Sequence, residues 1–342
     1  MTSQSSPTLE IRTSPHVLSG HSVDTIMFNV VLALLPVVAF SVYAFGLAAL
    51  LALATAVAAC LGTEWSAARL AGRPSTLGDW SAAITGLLYG LTLPPGLPLW
   101  MVAAGGAVSV GLGKVLFGGL GMNPFNPALV GRAFLQAAFP VAMTSWLAPF
   151  AADRFAALPP SSLALPLAAP VYDGITMATP LARFKFERAA TGTGDLALGL
   201  VGGSTGETCA LLIAAGGAYL VARNMMSWRI PLAVLGAVAA SAAGLHALDP
   251  ERFASAPFML FSGGLMLGAV FMATDMVGSP MTGRGQWLYG AGIGLLVVVI
   301  RTWGAMPEGV MYAILLGNAA TPLIDRGFRT SVYGTGGSGA GP

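Results

Sequence analysis

VVLALLPVVAFSVYAFGLAALLALATAVAACLGT, Val30 to Thr63, is two apolar runs joined at Gly46, and between Asp24 and Glu64 the chain carries no charged side chain. A bilayer core about 30 Å thick takes roughly 20 apolar residues per helical crossing. The stretch therefore predicts a membrane hairpin, with one span over 24–45 and its return over 47–63. The rest of the chain has the same character: 55% of its 342 residues are hydrophobic, 9% are charged and the mean hydropathy is +0.76. A soluble domain carries about 25% charged residues. The runs are continuously apolar rather than alternating, which points to helices and against a transmembrane barrel. A net charge of +2 leaves no basic footprint for nucleic acid.

Working outward from the hairpin, further spans are expected near 81–94, 97–118, 127–149, 207–223, 230–247, 256–275, 286–304 and 309–325. That makes ten in all, an all-α polytopic membrane protein. Lys and Arg collect at alternate short turns: Arg12, Arg69 and Arg73, Lys114, Arg223 and Arg229, Arg284, Arg326 and Arg329. The intervening turns carry only Arg252, beside Asp249 and Glu251. The positive-inside rule then places both termini in the cytoplasm. The expected divisions are an N-terminal arm (1–23), a first membrane half (24–149), an outer-face loop (150–206), a second membrane half (207–325) and a cytoplasmic tail (326–342). The arm is polar, with Pro7, Pro15 and His16, and is not expected to be a signal peptide. The tail's Gly-rich end is expected to carry no chemistry.

Several spans read as broken. Residues 92–98, Thr-Leu-Pro-Pro-Gly-Leu-Pro, end one, and Met122-Asn-Pro-Phe-Asn-Pro127 re-enters the membrane. An echo appears in the second half, where Met272-Ala-Thr-Asp275 precedes Gly278-Ser-Pro280 and Gly317-Asn-Ala-Ala-Thr-Pro322 leads into Asp325 and Arg326. Two five-helix pseudo-repeats with broken helices are how many transporter-like folds build a central site.

Charge inside a span marks a partner or a pathway. Asp275 and Glu207 near span ends, and the deeper Arg132 and Arg301, are the candidates. Asp275 reads as lining an ion or cofactor cavity, or as bonded to a neighbouring loop; the arginines read as snorkelling or paired with a carboxylate. Cys60 and Cys209 read as small buried hydrophobes, the alternative being a cluster shared with another subunit. His16, His21 and His246 have no metal-ligand spacing. No Walker sequence, dinucleotide fingerprint or Ser/His/Asp set is present, so neither a catalytic residue nor a metal ligand is assigned.

The long polar interruption contains Asp173-Gly-Ile-Thr-Met-Ala-Thr-Pro-Leu181. Its local reading is a helix start, with Thr179 as the cap, Pro180 in the first position and the helix continuing to Arg188. A helix N-terminus also suits a phosphate, and Arg183, Lys185 and Arg188 are expected to add positive charge beside it. Both readings stand at this point.

The same residues resemble the Ser/Thr-x-Ala-Thr motif of the family that includes the D subunit of the Rnf electron-transport complex and the B subunit of the sodium-pumping NADH:quinone reductase. Ser14-Pro-His16, Gly118-Gly-Leu-Gly-Met-Asn-Pro-Phe-Asn-Pro127, Met143-Thr-Ser-Trp146, Gly206-Glu-Thr208, Ser227-Trp-Arg-Ile-Pro231, Phe271 to Asp275 and Asn318 to Arg326 extend the likeness from about residue 14 to 333. Length and the short arm favour the Rnf branch. The resemblance implies FMN carried on Thr179 through a phosphoester, within a motif that includes Thr176 and Asp173. It also implies a second, non-covalent flavin such as riboflavin, for which Asn123 and Asn126 are the candidates, and an ion path for Na⁺ or H⁺, for which Asp275 is the candidate. The implied partners are Rnf subunits of the A, B, C, E and G types, in a bacterial inner membrane with the flavin loop periplasmic. Two rival readings are a flavin-free channel or small-solute transporter of similar fold, and a structural scaffold subunit.

Overall fold

The computed structural model describes residues 22–74, 76–166, 178–207 and 209–328, and among them all regular structure is helical. The hairpin is present as α1 (Val23–Phe45) and α2 (Leu47–Leu70). Ser22 caps α1 by accepting the Thr25 N–H at 3.2 Å. Gly46 makes the turn at φ +67°, and a Cβ there would fall 2.0 Å from the Arg154 carbonyl oxygen. The segment expected as an outer loop therefore rests directly on the hairpin, and Leu47 N–H donates to that same carbonyl at 2.9 Å. α2 continues beyond the expected end at 63. Glu64 does not stop it, because the carboxylate is buried and paired with Lys114 at 2.7 Å.

The first half continues with α3 (Ser81–Leu91), α4 (Leu99–Gly113), α5 (Pro127–Ala138) and the short α6 (Pro140–Met143). Two small elements come next, α7 (Pro180–Ala182) and α8 (Thr193–Leu198). The second half is α9 (Ala210–Ala222), α10 (Arg229–Leu248), α11 (Ala256–Phe261), α12 (Leu265–Leu267) running into a wide turn at Gly268–Met272, α13 (Gly283–Trp303) and α14 (Val310–Gly327). Five described helices are long and apolar enough to cross a bilayer: α1, α2, α4 with its continuation to Phe117, α10 and α13. The others are short or interrupted. α3 has 11 residues, about 16 Å at 1.5 Å per residue. The span expected over 127–149 ends at Ala138, since Phe139 precedes a proline and leaves the helical region at φ −134°. The one expected over 256–275 breaks at Ser262–Gly264, where Gly263 has φ +65°, and the one expected from 207 begins at Ala210 after an extended Cys209.

Both halves pack by one plan. α2 lies against α3 and α4, and α4 against α5; α10 lies against α11 and α13, and α13 against α14. α1 meets α9, and α5 meets α14, across the halves. The repeat expected from the sequence is thus visible in the pairing order. Small residues make the tight seams. A Cβ on Gly294 of α13 would sit 2.5 Å from the Val234 carbonyl of α10, and one on Gly86 of α3 would sit 2.6 Å from the Val57 Cα of α2. Both cysteines are buried, and Cys60 Sγ points at the Gly106 carbonyl at 3.6 Å. On the outside, Leu32, Leu35, Leu50, Leu211, Leu232, Leu295 and Leu316 are exposed along the helix flanks. A girdle of that kind is solvated by hydrocarbon rather than water, so the chain is a multi-pass membrane protein.

Loop contacts define the two ends of the bundle. At one end Arg154 Nε donates to the Tyr43 carbonyl (2.9 Å), Ser161 Oγ to Gly96 (2.7 Å), Arg188 to Arg252 (2.6 Å) and Lys185 to Arg301 (3.1 Å). This end also carries Thr179. The opposite end gathers the starts of α1 and α3, the 114–127 loop and the turn at 272–276 around one cavity.

Candidate functional site

Thr179 has extended backbone (φ −62°, ψ 154°), and its Oγ1 accepts the Ala182 N–H at 3.2 Å with Pro180 in the first helical position. The capping geometry read from the sequence is therefore present. The helix it starts runs to Glu187 and is capped at Arg188 as expected, but only its first three residues are α-helical. After α7 the chain widens into a turn over Arg183–Glu187 and closes at Arg188 with φ +56°. Three α-helical residues develop little dipole, so helix-end electrostatics alone is a weak anion site here.

The winding sorts the side chains onto two sides. Ala178, Thr179, Ala182 and Phe186 face one cavity, while Leu181, Phe184, Lys185 and Arg188 face another. The spacing of the second set, i, i+3, i+4 and i+7, is that of one helical face. Consequently the expected cations are not beside Thr179. Arg183 pairs with Glu187 at 3.7 Å, Lys185 donates to the carbonyls of Arg301, Gly304 and Met306, and Arg188 donates to Arg252. Arg132 of α5 takes that place in the wall of the Thr179 cavity.

That cavity has a volume of about 370 Å³, opens to solvent, and is completed by Gln136, Trp146, Met306, Glu308 and Tyr312. Small-molecule sites occupy roughly 300–1,000 Å³. Thr179 is 5% exposed, so its hydroxyl is reached through the cavity rather than from open water.

Behind it lies a charge cluster built on Gly263 and Gly264. Arg132 Nη2 meets Glu308 Oε2 at 2.6 Å, and Glu308 Oε1 accepts the Gly264 N–H at 2.7 Å. A Cβ on Gly264 would lie 3.6 Å from Glu207 Oε1, 3.7 Å from Glu308 Oε1 and 4.0 Å from Arg132 Nη1. Arg301 donates to the carbonyls of Met259 (2.6 Å) and Ser262 (2.9 Å). The structure thus brings together Glu207, Arg132 and Arg301. Of the two arginines, only Arg132 makes the carboxylate pair expected of them. The sequence reading missed Glu308; the available signal was a lone acid in the short Gly304–Gly309 turn opposite Arg132.

The cavity at the other end, about 110 Å³ and open to solvent, has Asn123, Asn126 and Asp275 in its wall, so residues assigned separately as flavin and ion candidates share one space. Asn126 caps α5 through the Ala128 N–H (3.0 Å) and crosses the halves to the Met272 carbonyl (3.3 Å). Asn123 Nδ2 donates to the Phe125 carbonyl at 3.1 Å, and Asp275 accepts the Val277 N–H at 3.2 Å. Asp275 is thus both bonded to its own loop and part of a cavity wall. Lys114, held by Glu64 and Ser81, supplies the cation there, which the sequence reading did not single out. Asp173 and Thr176 lie outside the described residues.

Comparison with known proteins covers almost the whole chain. The profile of the NQR2, RnfD, RnfE family matches residues 10–334. The D subunit of the proton-translocating ferredoxin:NAD(+) oxidoreductase complex of Clostridium ljungdahlii is 39% identical, with 95% of this chain and 96% of that protein covered. Its counterpart in the Na(+)-translocating complex of Acetobacterium woodii is 41% identical, with 95% of each covered. The D subunit of the ion-translocating oxidoreductase complex of Stutzerimonas stutzeri is 42% identical over 92% of each. The family match and the near-full-length relatives agree with the helical membrane fold, and the chain belongs to the NQR2, RnfD, RnfE family.

Proposed function

We propose that this chain is the membrane subunit of an ion-translocating ferredoxin:NAD oxidoreductase that carries FMN covalently on Thr179 and passes electrons within the complex. The carrying observation is the buried Thr179 hydroxyl in the wall of a small-molecule-sized cavity that also contains Arg132. These residues fit the group. Transfer of FMN from an activated flavin dinucleotide donor would break that donor's phosphoanhydride bond, release its nucleoside monophosphate half together with the Thr179 hydroxyl proton, and leave a bridging oxygen that keeps the cap to Ala182. Arg132 supplies a fork of donors suited to phosphate or to a ring carbonyl. Glu308 holds that guanidinium in orientation, and Trp146, Phe186 and Tyr312 offer apolar surface to a flat ring. Bound there, the flavin contributes one- and two-electron transfer. Thr176 and Asp173 belong to the same motif.

At the other end, Asn123 and Asn126 present amide groups to a second, non-covalent flavin such as riboflavin. Asp275 marks a cation path in the same wall. Asn123 and Asn126 would hold the flavin beside Asp275 in one wall, a short-range, low-dielectric setting in which Coulomb energies are several times those in water. The relatives' names include both proton and Na⁺ complexes, and either ion suits a carboxylate. The basic turns assign the Asn126 end to the cytoplasm and the Thr179 end to the outer face. The A, B, C, E and G subunits are the partners.

The test is a denaturing gel of the purified chain under ultraviolet light. Flavin fluorescence is expected from the parent and absent from Thr179→Ala. A dark parent band, as a channel or scaffold would give, or an equally bright variant, overturns the assignment. Redox-driven ion uptake unchanged in Asp275→Asn would remove Asp275 from the path.

A further inference from the structure

The face of the 179–188 segment turned away from Thr179 closes a separate cavity of about 140 Å³, room for a phosphate group and open to solvent. Four cationic side chains line it, Lys185, Arg188, Arg252 and Arg301, and no Asp or Glu does. Each is held by neutral groups. Lys185 Nζ donates to three carbonyls at the end of α13, Arg188 to the Arg252 carbonyl, and Arg252 lies over the Phe253 ring at 5.4 Å. Arg301 is 4% exposed, and its Nε has no partner although both terminal nitrogens are bonded. Among the described residues none of the four is in an ion pair. Glu308 and Glu207, whose fields reach Arg301, stand outside this wall on its Thr179 side, and Glu308 is already engaged by Arg132 and the Gly264 N–H. Burial pushes the Lys185 ammonium below its usual value. A pocket with this much fixed positive charge and no carboxylate in its wall is organised for an anion.

The rest of the lining says what the anion is attached to. Ala242 and Leu245 of α10 form one wall, and Trp303 stands at the rim, 57% exposed and 6.2 Å from the Phe253 ring. Leu248, one turn beyond on α10, is 81% exposed. An indole at a helix end beside an apolar flank marks the membrane–water boundary. Guanidinium groups match phosphate oxygens with paired donors, and basic pockets between membrane helices recognise anionic headgroups. We propose that this cavity binds the phosphodiester headgroup of an anionic phospholipid, with Arg188, Arg252 and Arg301 around the phosphate and the acyl chains running down α10 past Trp303. A zwitterionic lipid is disfavoured, because its ammonium group would meet four cations and no carboxylate.

The experiment uses the complete complex in membranes doped with a photoactivatable phosphatidylglycerol, with adducts mapped by mass spectrometry. Labelling is expected on peptides containing Phe253 and Trp303, competed by unlabelled phosphatidylglycerol but not by phosphatidylcholine or inorganic phosphate. Arg188→Gln with Arg252→Gln should lower it at least fivefold in a complex of unchanged subunit composition, and Arg188→Lys with Arg252→Lys should restore part of it. Equal labelling in the glutamine variant, or equal competition by phosphatidylcholine, overturns the proposal. Competition by inorganic phosphate at millimolar concentration also overturns it, in favour of a free anion site.

Discussion

Removing both partners of the Arg132–Glu308 pair should cost clearly less than the sum of removing each alone. Replacing Arg132 with Met leaves the Glu308 carboxylate in a wall where its side chain is 18% exposed. Removing one member of a buried pair typically costs about 3–5 kcal/mol. Glu308 keeps the Gly264 N–H at 2.7 Å and the field of Arg301, so the low end, about 3 kcal/mol, is expected for Arg132→Met. Glu308→Gln leaves Arg132 without its anion, and because one amide oxygen replaces the two carboxylate oxygens that accept from Arg132 and from the Gly264 N–H, one of those donors meets an NH2 group instead, so about 3 kcal/mol is expected. In Arg132→Met/Glu308→Gln no unpaired charge remains between the two positions. The double variant should be less destabilised than the sum by about 2 kcal/mol, within the range seen for contacting residues. The assay is thermal unfolding of the detergent-purified complex followed by tryptophan emission, with the cycle completed at one lipid-to-detergent ratio. Additive single effects would show that the pair is not a coupled unit and that Arg132 is free to turn elsewhere.

Lys114→Met should be among the most damaging single substitutions at the opposite end. It strands Glu64, whose Oε2 is already without a partner, and about 3 kcal/mol is expected, largely recovered in Lys114→Met/Glu64→Gln as read by the yield of monodisperse protein. Asn126→Ala removes both the α5 cap and the bond to Met272; about 1 kcal/mol for the cap makes a modest shift in melting temperature the expected result. Gly294→Val, by contrast, should abolish accumulation in the membrane, because the Val234 carbonyl lies 2.5 Å from the new Cβ, and normal yields would contradict the packing of α10 on α13.

Helix existence was legible from hydropathy because the hydrocarbon requirement is written residue by residue, as in Val30–Thr63. Ends were less legible where a charge is satisfied inside the fold. Glu64 looked like a terminus and is instead mid-helix, since its partner lies 50 positions away. The same long-range pairing hid Glu308, which in sequence is one acid in a short turn. Thr179 was singled out twice, as a cap from local chemistry, which the structure contains, and from the family motif as the residue proposed to carry flavin. Its cation was assigned wrongly: Lys185 and Arg188 are neighbours along the chain, but the winding of 179–188 turns them away, and Arg132 arrives from α5. The cavity that joins Asn123, Asn126 and Asp275 was seen only as separate breaks in two halves, because the pairing of those halves is not a local property.

The two-sided winding of 179–188 also makes its spacing a constraint on sequence change. Each residue added rotates the downstream side chains by about 100° where the winding is α-helical, and by somewhat less over the wider turn at 183–187. A single insertion after Thr179 would carry Phe186 out of the Thr179 cavity and swing a basic side chain towards it, although every residue type was retained. Deletions and insertions in this short segment should therefore be tolerated far less than substitutions of like size, even though it lies in a loop, where indels are usually the cheapest changes a protein can make.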